Sequence, residues 1–306
     1  MMSWLKLMRL PTVFTALSNI LCGFFVSQNE RDLALLFTRA ELWLLLLASA
    51  GLYLGGMVLN DVFDAALDAR ERPERPIPAG LISKRAAAVF GTSLMVIGVA
   101  TATTAGFVSK TGMLSTQIAC VLAACIVLYD AVLKSTIASP LGMATCRFLN
   151  VMLGASCAGT WQVVWSGPQL AIATALFIYI LGVTWFARNE AGHSKIWALI
   201  AALAVVMCGI GTNLWSAAQV FEAGTPAVGA MIALSLIAAN VGIRGAAAIR
   251  ANQPRILQKT VGFMLLNVIF IDAAMTFCVT GSGRIAAAVV ILVIPATLLK
   301  RVVPMS

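Results

Sequence analysis

Acidic residues are scarce in this chain: 12 aspartates and glutamates in 306 residues, against 21 lysines and arginines. Histidine is scarcer still, and the lone His193 argues against a histidine-rich metal centre or a Ser-His-Asp hydrolase. The 7 cysteines, Cys22, Cys120, Cys125, Cys146, Cys157, Cys208 and Cys278, contain no C-x-x-C pair, so they read as small buried side chains and not as a zinc or disulfide framework. Charged residues make up only 11% of the chain and hydrophobic ones 60%. A soluble domain carries about a quarter charged residues, so a water-soluble fold is excluded.

What the chain has instead is a series of apolar runs of the length that crosses a bilayer as helix, about 17 to 25 residues. Ten candidate spans cover about 10–27, 41–60, 86–108, 113–133, 140–160, 168–187, 195–215, 226–247, 260–280 and 285–300. A β-barrel would show shorter alternating segments of about ten residues. The expected fold is therefore all-α: a polytopic integral membrane helical bundle of nine or ten transmembrane helices around a central cavity, with a single domain over 1–306. The first run follows Lys6 and Arg9 but has no A-x-A cleavage pattern, so it reads as the first membrane helix and not as a leader. Gly51 and Gly55 have the small-xxx-small spacing that lets two helices approach closely.

The net charge of +9 does not point to nucleic acid, because of where it falls. With the amino terminus inside, all but Arg31, Arg39, Lys110 and Arg284 lie on the cytoplasmic side. This is the positive-inside pattern, and it places the loop from Asn60 to Arg85 in the cytoplasm. A bacterial inner membrane is the expected location.

Five of the 12 acidic residues, the three aspartates Asp61, Asp64 and Asp68 among them, lie in one short stretch, "NDVFDAALDARERPERPIPAG", Asn60 to Gly80. If the second span continues as helix, Asn60, Asp64 and Asp68 fall at i, i+4 and i+8 on one face, with Asp61 beside them. Like charges at that spacing repel, so something positive should sit there. Hard oxygen ligands suit Mg²⁺; pairing with Arg70, Arg72 and Arg75 is the plainer alternative. Arg72 and Arg75 each precede a proline, which stiffens the loop and could aim guanidinium forks at phosphate oxygens.

The same string resembles the first aspartate-rich motif of the UbiA superfamily of intramembrane prenyltransferases, with Arg72 where lysine is common. Three shorter stretches are similar to the family as well. "RLPTVFTALSNILCGF" places Asn19 on the polar face of a first helix, "YDAVLK" carries Tyr129, Asp130 and Lys134, and "CRFLNVMLGAS" carries Arg147 and Asn150 at membrane depth. The resemblance implies a prenyl diphosphate donor, an unidentified small-molecule or lipid acceptor, and Mg²⁺ held by Asn60, Asp61, Asp64 and Asp68. It further implies that Arg72, Arg75 and Lys134 clamp phosphate oxygens. Tyr129 would face the cation left on the prenyl group, and Asp130 or a group near Asn150 would take the acceptor's proton. Membrane lipids are expected partners and nucleic acid is not.

The chain departs from the family in the loop after the sixth span. Where a second acidic motif is usual, it reads "WFARNEAGHSK", leaving Glu190 as the only carboxylate. Asn189, Glu190 and His193 could form a weaker metal site; alternatively Arg188, His193 and Lys195 could contact the diphosphate directly. "TWFARNEAG" resembles the EboC-type branch of the family. Two other readings stay open: a catalytically degenerate UbiA-like binding protein, and a transporter in which Asn213, Asn240, Asn267 and Asp272 line a path.

Overall fold

The apolar runs all become helix, and no other regular structure occurs among the described residues. The computed structural model describes residues 2–188, 195–219 and 225–302. Its main elements are α1 (Phe14–Gln28), α2 (Ala40–Glu71), α3 (Lys84–Val108), α4 (Leu114–Ala131), α5 (Ser139–Ala155), α6 (Pro168–Arg188), α7 (Ile196–Gln219), α8 (Thr225–Ala251), α9 (Pro254–Thr280), α10 (Gly283–Ile291) and α11 (Val293–Val302). Among the described residues, 8 helices are long and apolar enough to cross a membrane. The other two expected spans are shorter: α5 has 17 residues, and the last is broken at Leu292 into α10 and α11.

Helix boundaries follow from a few residues. Pro140 and Pro254 stand in the first turns of α5 and α9, where a missing N–H is harmless and a fixed φ helps. Asn29 and Gly281 close α1 and α9 in the left-handed conformation, which stops a helix cleanly. Ser83 accepts a hydrogen bond from the Ala86 amide and caps α3, as the end of the proline loop requires.

Tryptophans mark the two faces of the bundle. Trp4, Trp185 and Trp197 lie at helix ends on one face, and Trp43, Trp161, Trp165 and Trp215 at helix ends on the other. These are the aromatic belts of a membrane protein.

α1 is the central helix, 72% buried over its apolar window against 28% for α3 and 22% for α8. It touches α2, α5, α6 and α9, and its contact with α5 is backbone to backbone. A Cβ added to Gly154 would lie 2.5 Å from the Ile20 carbonyl oxygen, and one on Gly23 would strike the Val151 carbonyl. The Gly51 and Gly55 pair behaves as its spacing predicts: added Cβ atoms would lie 2.8 Å from the carbonyls of Leu94 and Gly91 on α3. The α1–α5 contact matters most, because it sets Thr15, Ala16 and Asn19 against Arg147 and Asn150. Gly154→Val should therefore lower the melting temperature in detergent by an amount equal to about 1–3 kcal/mol. Gly211→Ala, whose Cβ meets open space, should be neutral or stabilising by up to about 1 kcal/mol.

Candidate active site

α2 has 32 residues and is therefore about 48 Å long, well beyond the roughly 30 Å of a hydrocarbon core. Asn60, Asp61, Asp64 and Asp68 lie in its last turns, beyond the roughly 20 residues that a hydrocarbon core takes up, so the helical stripe expected from the sequence is present. Every carboxylate in it meets a protein cation. Arg9 donates to Asp61 at 2.9 Å. Arg75 lies 2.7 Å from Asp68 and 3.6 Å from Asp61. Lys134 lies 2.6 Å from Asp64 and donates to the Asn60 side-chain oxygen at 3.1 Å.

Two of these contacts differ from the sequence reading. Arg72 and Arg75 were expected to act together, but the chain leaves α2 at Arg72 in a non-helical conformation (φ −145°, ψ 62°) and the two side chains diverge. Arg75 is 4% exposed and folds back on the stripe, while Arg72 is exposed and has no ion pair within 4 Å among the described residues. Arg9 was counted only as a topogenic charge. It stands in the left-handed region at φ 46°, a conformation that costs a non-glycine residue about 1–3 kcal/mol, and from there reaches Asp61.

Below the stripe lies a cavity of about 150 Å³. Its walls come from α2 (Ser49, Tyr53, Gly56, Asn60), α4 (Leu122, Ile126, Tyr129, Asp130) and α5 (Met143, Cys146, Arg147, Asn150), and Arg9 stands at its mouth. Each wall repeats at helical spacing, so it is one face of one helix. Gly56 keeps the space open, since a Cβ there would press on Ile126 at 2.7 Å. Asp130 is buried, at 4% exposure. Asn150 links three helices: its amide donates to the Ala16 carbonyl at 2.8 Å, and its oxygen accepts from Ser49 at 2.8 Å. Arg147 donates to Thr15 and Asn19 of α1 and stacks over the Tyr53 ring at 5.3 Å.

The structure thus gathers Asn19, Asn60, Asp61, Asp64, Asp68, Arg75, Tyr129, Asp130, Lys134, Arg147 and Asn150 along and above one cavity. Arg188 ends α6 and is exposed. Asn189, Glu190 and His193 lie outside the described residues. Thr15, Ser49 and Tyr53 were missed, although Ser49, Tyr53 and Gly56 continue the Asn60 face of α2 backwards at intervals of three or four residues.

No group of three or more acidic, histidine or cysteine side chains able to hold a metal occurs among the described residues. The oxygens that do converge are Asn60 Oδ1 and Asp64 Oδ1, both on the Lys134 ammonium. A hard amide oxygen and a carboxylate oxygen gathered on one positive point fit the modest protein share of a Mg²⁺ shell, which water and phosphate oxygens complete.

Residues 16–252 match the model of the UbiA prenyltransferase family. The chain belongs to that family. Solved structures agree at the level of fold. A UbiA homologue from Aeropyrum pernix superposes with a TM-score of 0.66 at 19% identity, covering 86% of this chain and 96% of its own. A UbiA homologue from Archaeoglobus fulgidus, bound to GPP and Mg²⁺, gives 0.63 at 16%, covering 91% and 99%. Curated relatives include digeranylgeranylglyceryl phosphate synthases of Methanoregula boonei, 39% identical over 129 residues, and Metallosphaera sedula, 31% identical over 152. The matched stretches span 41% and 49% of this chain and 42% and 50% of those relatives.

The two loop arginines of this UbiA-family chain should behave oppositely on substitution. Arg75→Met leaves buried carboxylates facing an uncompensated deficit and should destabilise by about 3–5 kcal/mol. Arg72→Met should stay within about 0.5 kcal/mol, both read as melting temperatures in detergent.

Proposed function

We propose that this protein transfers an isoprenoid group from a prenyl diphosphate to a small cyclic or lipophilic acceptor, as one domain over 1–306. The observation that carries the reading is the position of the stripe: clustered carboxylates, with the cations Arg9, Arg75 and Lys134 among them, at the mouth of a mainly apolar cavity inside a membrane bundle. Names in the family agree with it. The digeranylgeranylglyceryl phosphate synthases are relatives, and the Archaeoglobus fulgidus homologue has been solved with GPP and with DMAPP, each with Mg²⁺.

In this mechanism Asn60, Asp61, Asp64 and Asp68 hold Mg²⁺, with Asn189 and Glu190 as further ligands. When bound, the ion neutralises charge on the leaving diphosphate. Arg75 and Lys134, with Arg72, Arg188 and His193, bind the remaining phosphate oxygens; preorganised positive charge stabilises the charge that accumulates as the allylic C–O bond breaks. The Tyr129 ring faces the electron-poor carbon, and the walls formed by Leu122, Ile126 and Met143 keep water from it. Asp130 accepts the proton that the acceptor loses as the new bond to carbon forms. Asn19, Arg147 and Asn150 shape the far end, where the acceptor lies. The stripe faces the cytoplasm, where soluble diphosphates are met.

The transporter reading finds no support in the polar residues on which it rested. Asn213 and Asn267 donate to carbonyls one turn back in their own helices. Asn240 accepts from Arg244, and Asp272 accepts from α1. None of the four lines the cavity.

Binding of farnesyl and geranylgeranyl diphosphate to the purified protein tests the proposal. The expected result is Mg²⁺-dependent binding, abolished by EDTA and weakened about 100-fold, or about 2.8 kcal/mol, in Asp64→Ala. Metal-independent binding of equal strength in Asp64→Ala would overturn it.

A further inference from the structure

Away from the cavity, α8 and α9 share a positive charge that no described residue compensates. Arg244 lies seven residues, about 10 Å, before the end of α8 at Ala251, inside the apolar stretch Pro226–Ala251. It is exposed, its neighbour Ile243 is 70% exposed, and neither lines the cavity, so this flank of the bundle faces lipid. An arginine near a membrane surface usually snorkels, with its stem in lipid and its head at the interface. Arg244 does the opposite. Its Nε donates to Asn240 Oδ1 at 2.8 Å, one turn deeper in α8, and its guanidinium lies 4.3 Å from the centre of the Phe263 ring on α9. Its remaining N–H donors have no protein hydrogen-bond partner among the described residues.

One face of α9 extends the positive charge. Arg255, Lys259 and Phe263 fall at i, i+4 and i+8, and both cations are exposed. Arg255 stands in the first turn of α9, at the positive end of the helix dipole, where a cation is unfavourable; the helix itself gives no reason for it. No carboxylate lies within 4 Å of Arg244, Arg255 or Lys259 among the described residues. From Lys195 onwards the sequence has only Glu222 and Asp272 as acidic residues, and Asp272 is fully buried against α1. Positive-inside topology accounts for Arg255 and Lys259, but not for a guanidinium held on an aromatic ring on the bilayer side of them.

We propose that the seam between α8 and α9 binds an anionic phospholipid, its phosphate held by Arg244 and Lys259 and its acyl chain lying along the apolar flank of α8. This does not rest on the prenyl-transfer reading. A soluble anion would have to enter apolar surroundings to reach Arg244, whereas a lipid phosphate is anchored at that level by its own chains. A zwitterionic headgroup brings a cation with it and leaves the charges of Arg244, Arg255 and Lys259 unmatched, so a net negative headgroup fits better. A second copy of the chain meeting this flank about a two-fold axis would bring the same three cations and repel.

Native mass spectrometry of the full-length protein in detergent, titrated with dioleoyl phosphatidylglycerol or dioleoyl phosphatidylcholine, tests the proposal. The unmodified protein should bind its first phosphatidylglycerol about tenfold more tightly than phosphatidylcholine. Arg244→Gln and Lys259→Gln should each cut that preference about threefold to fivefold, and the double variant should abolish it. Arg250→Gln removes the same charge from the same end of α8 but about 120° around the helix, and should keep the preference. Comparing two lipids with the same chains cancels any damage common to both. Melting temperatures show which variants are folded, and Lys259→Gln carries the test if Arg244→Gln does not fold. No preference in the unmodified protein, an undiminished preference in the double variant, or an equal loss in Arg250→Gln would overturn the proposal. So would displacement of the lipid by excess glycerol 3-phosphate, which marks a soluble anion, or a dimer that Arg244→Gln dissociates, which marks a second copy.

Discussion

Three carboxylates on one helix face at the rim of a bilayer repel each other, and the dry side of that rim makes an uncompensated charge costly. Positive charge has to come to them. In this chain it comes from three separate segments: Arg9 ahead of α1, Arg75 from the proline loop, and Lys134 from the link between α4 and α5. Each segment is fixed in place by meeting its aspartate. Arg9 holds its left-handed turn against Asp61, the loop folds back under Arg75 instead of extending into water, and Lys134 ties the end of α4 to α2. The electrostatic demand of one helix thus assembles the mouth of the cavity.

That mouth was partly legible in the sequence. Asn60, Asp64 and Asp68 lie within one continuous helix, and helical spacing alone puts them on one face. The partners were harder to see, because an ion pair such as Arg9–Asp61 joins residues 52 positions apart and leaves no local pattern. The divergence of Arg72 and Arg75 depends on the backbone at a single residue, which the neighbouring proline restricts without fixing. Tyr53 and Ser49 were legible but not read, since carrying the stripe back into the apolar part of α2 passes through both. The link from Asp272 to Asn19 spans 253 positions, and only the packing of α9 against α1 reveals it.

Close packing did as much as charge to build the site. Gly23 and Gly154 let α1 and α5 meet backbone to backbone, which brings Thr15 and Asn19 within reach of Arg147 and lets Asn150 bond to the Ala16 carbonyl. With larger residues at those glycines the helices would separate, and each of these polar groups would be left unpaired in an apolar medium, at a cost of about 1–3 kcal/mol apiece. Polar residues inside the bundle therefore do not imply a continuous path across it. Asn213 and Asn267 end in local backbone bonds, while those near α1 converge on the cavity.

The two ends of the cavity differ in how firmly their charges are held, and the difference suits the two substrates of the proposed reaction. At the mouth, the side chains of Arg9 and Lys134 keep 28% and 22% exposure. Ion pairs of that kind contribute little net stability, so these groups can turn from carboxylate to phosphate as a highly charged donor enters and later leaves as diphosphate. At the far end, Arg147 is pinned by buried neutral oxygens and an aromatic ring, with its own orientation set from α9. Moving it would take from the Asn19 and Thr15 side-chain oxygens the donor that Arg147 supplies. A mouth that can rearrange and an end that cannot is the arrangement a transferase needs, because the leaving group must be released after every turnover while the attacking group has to be held in one geometry.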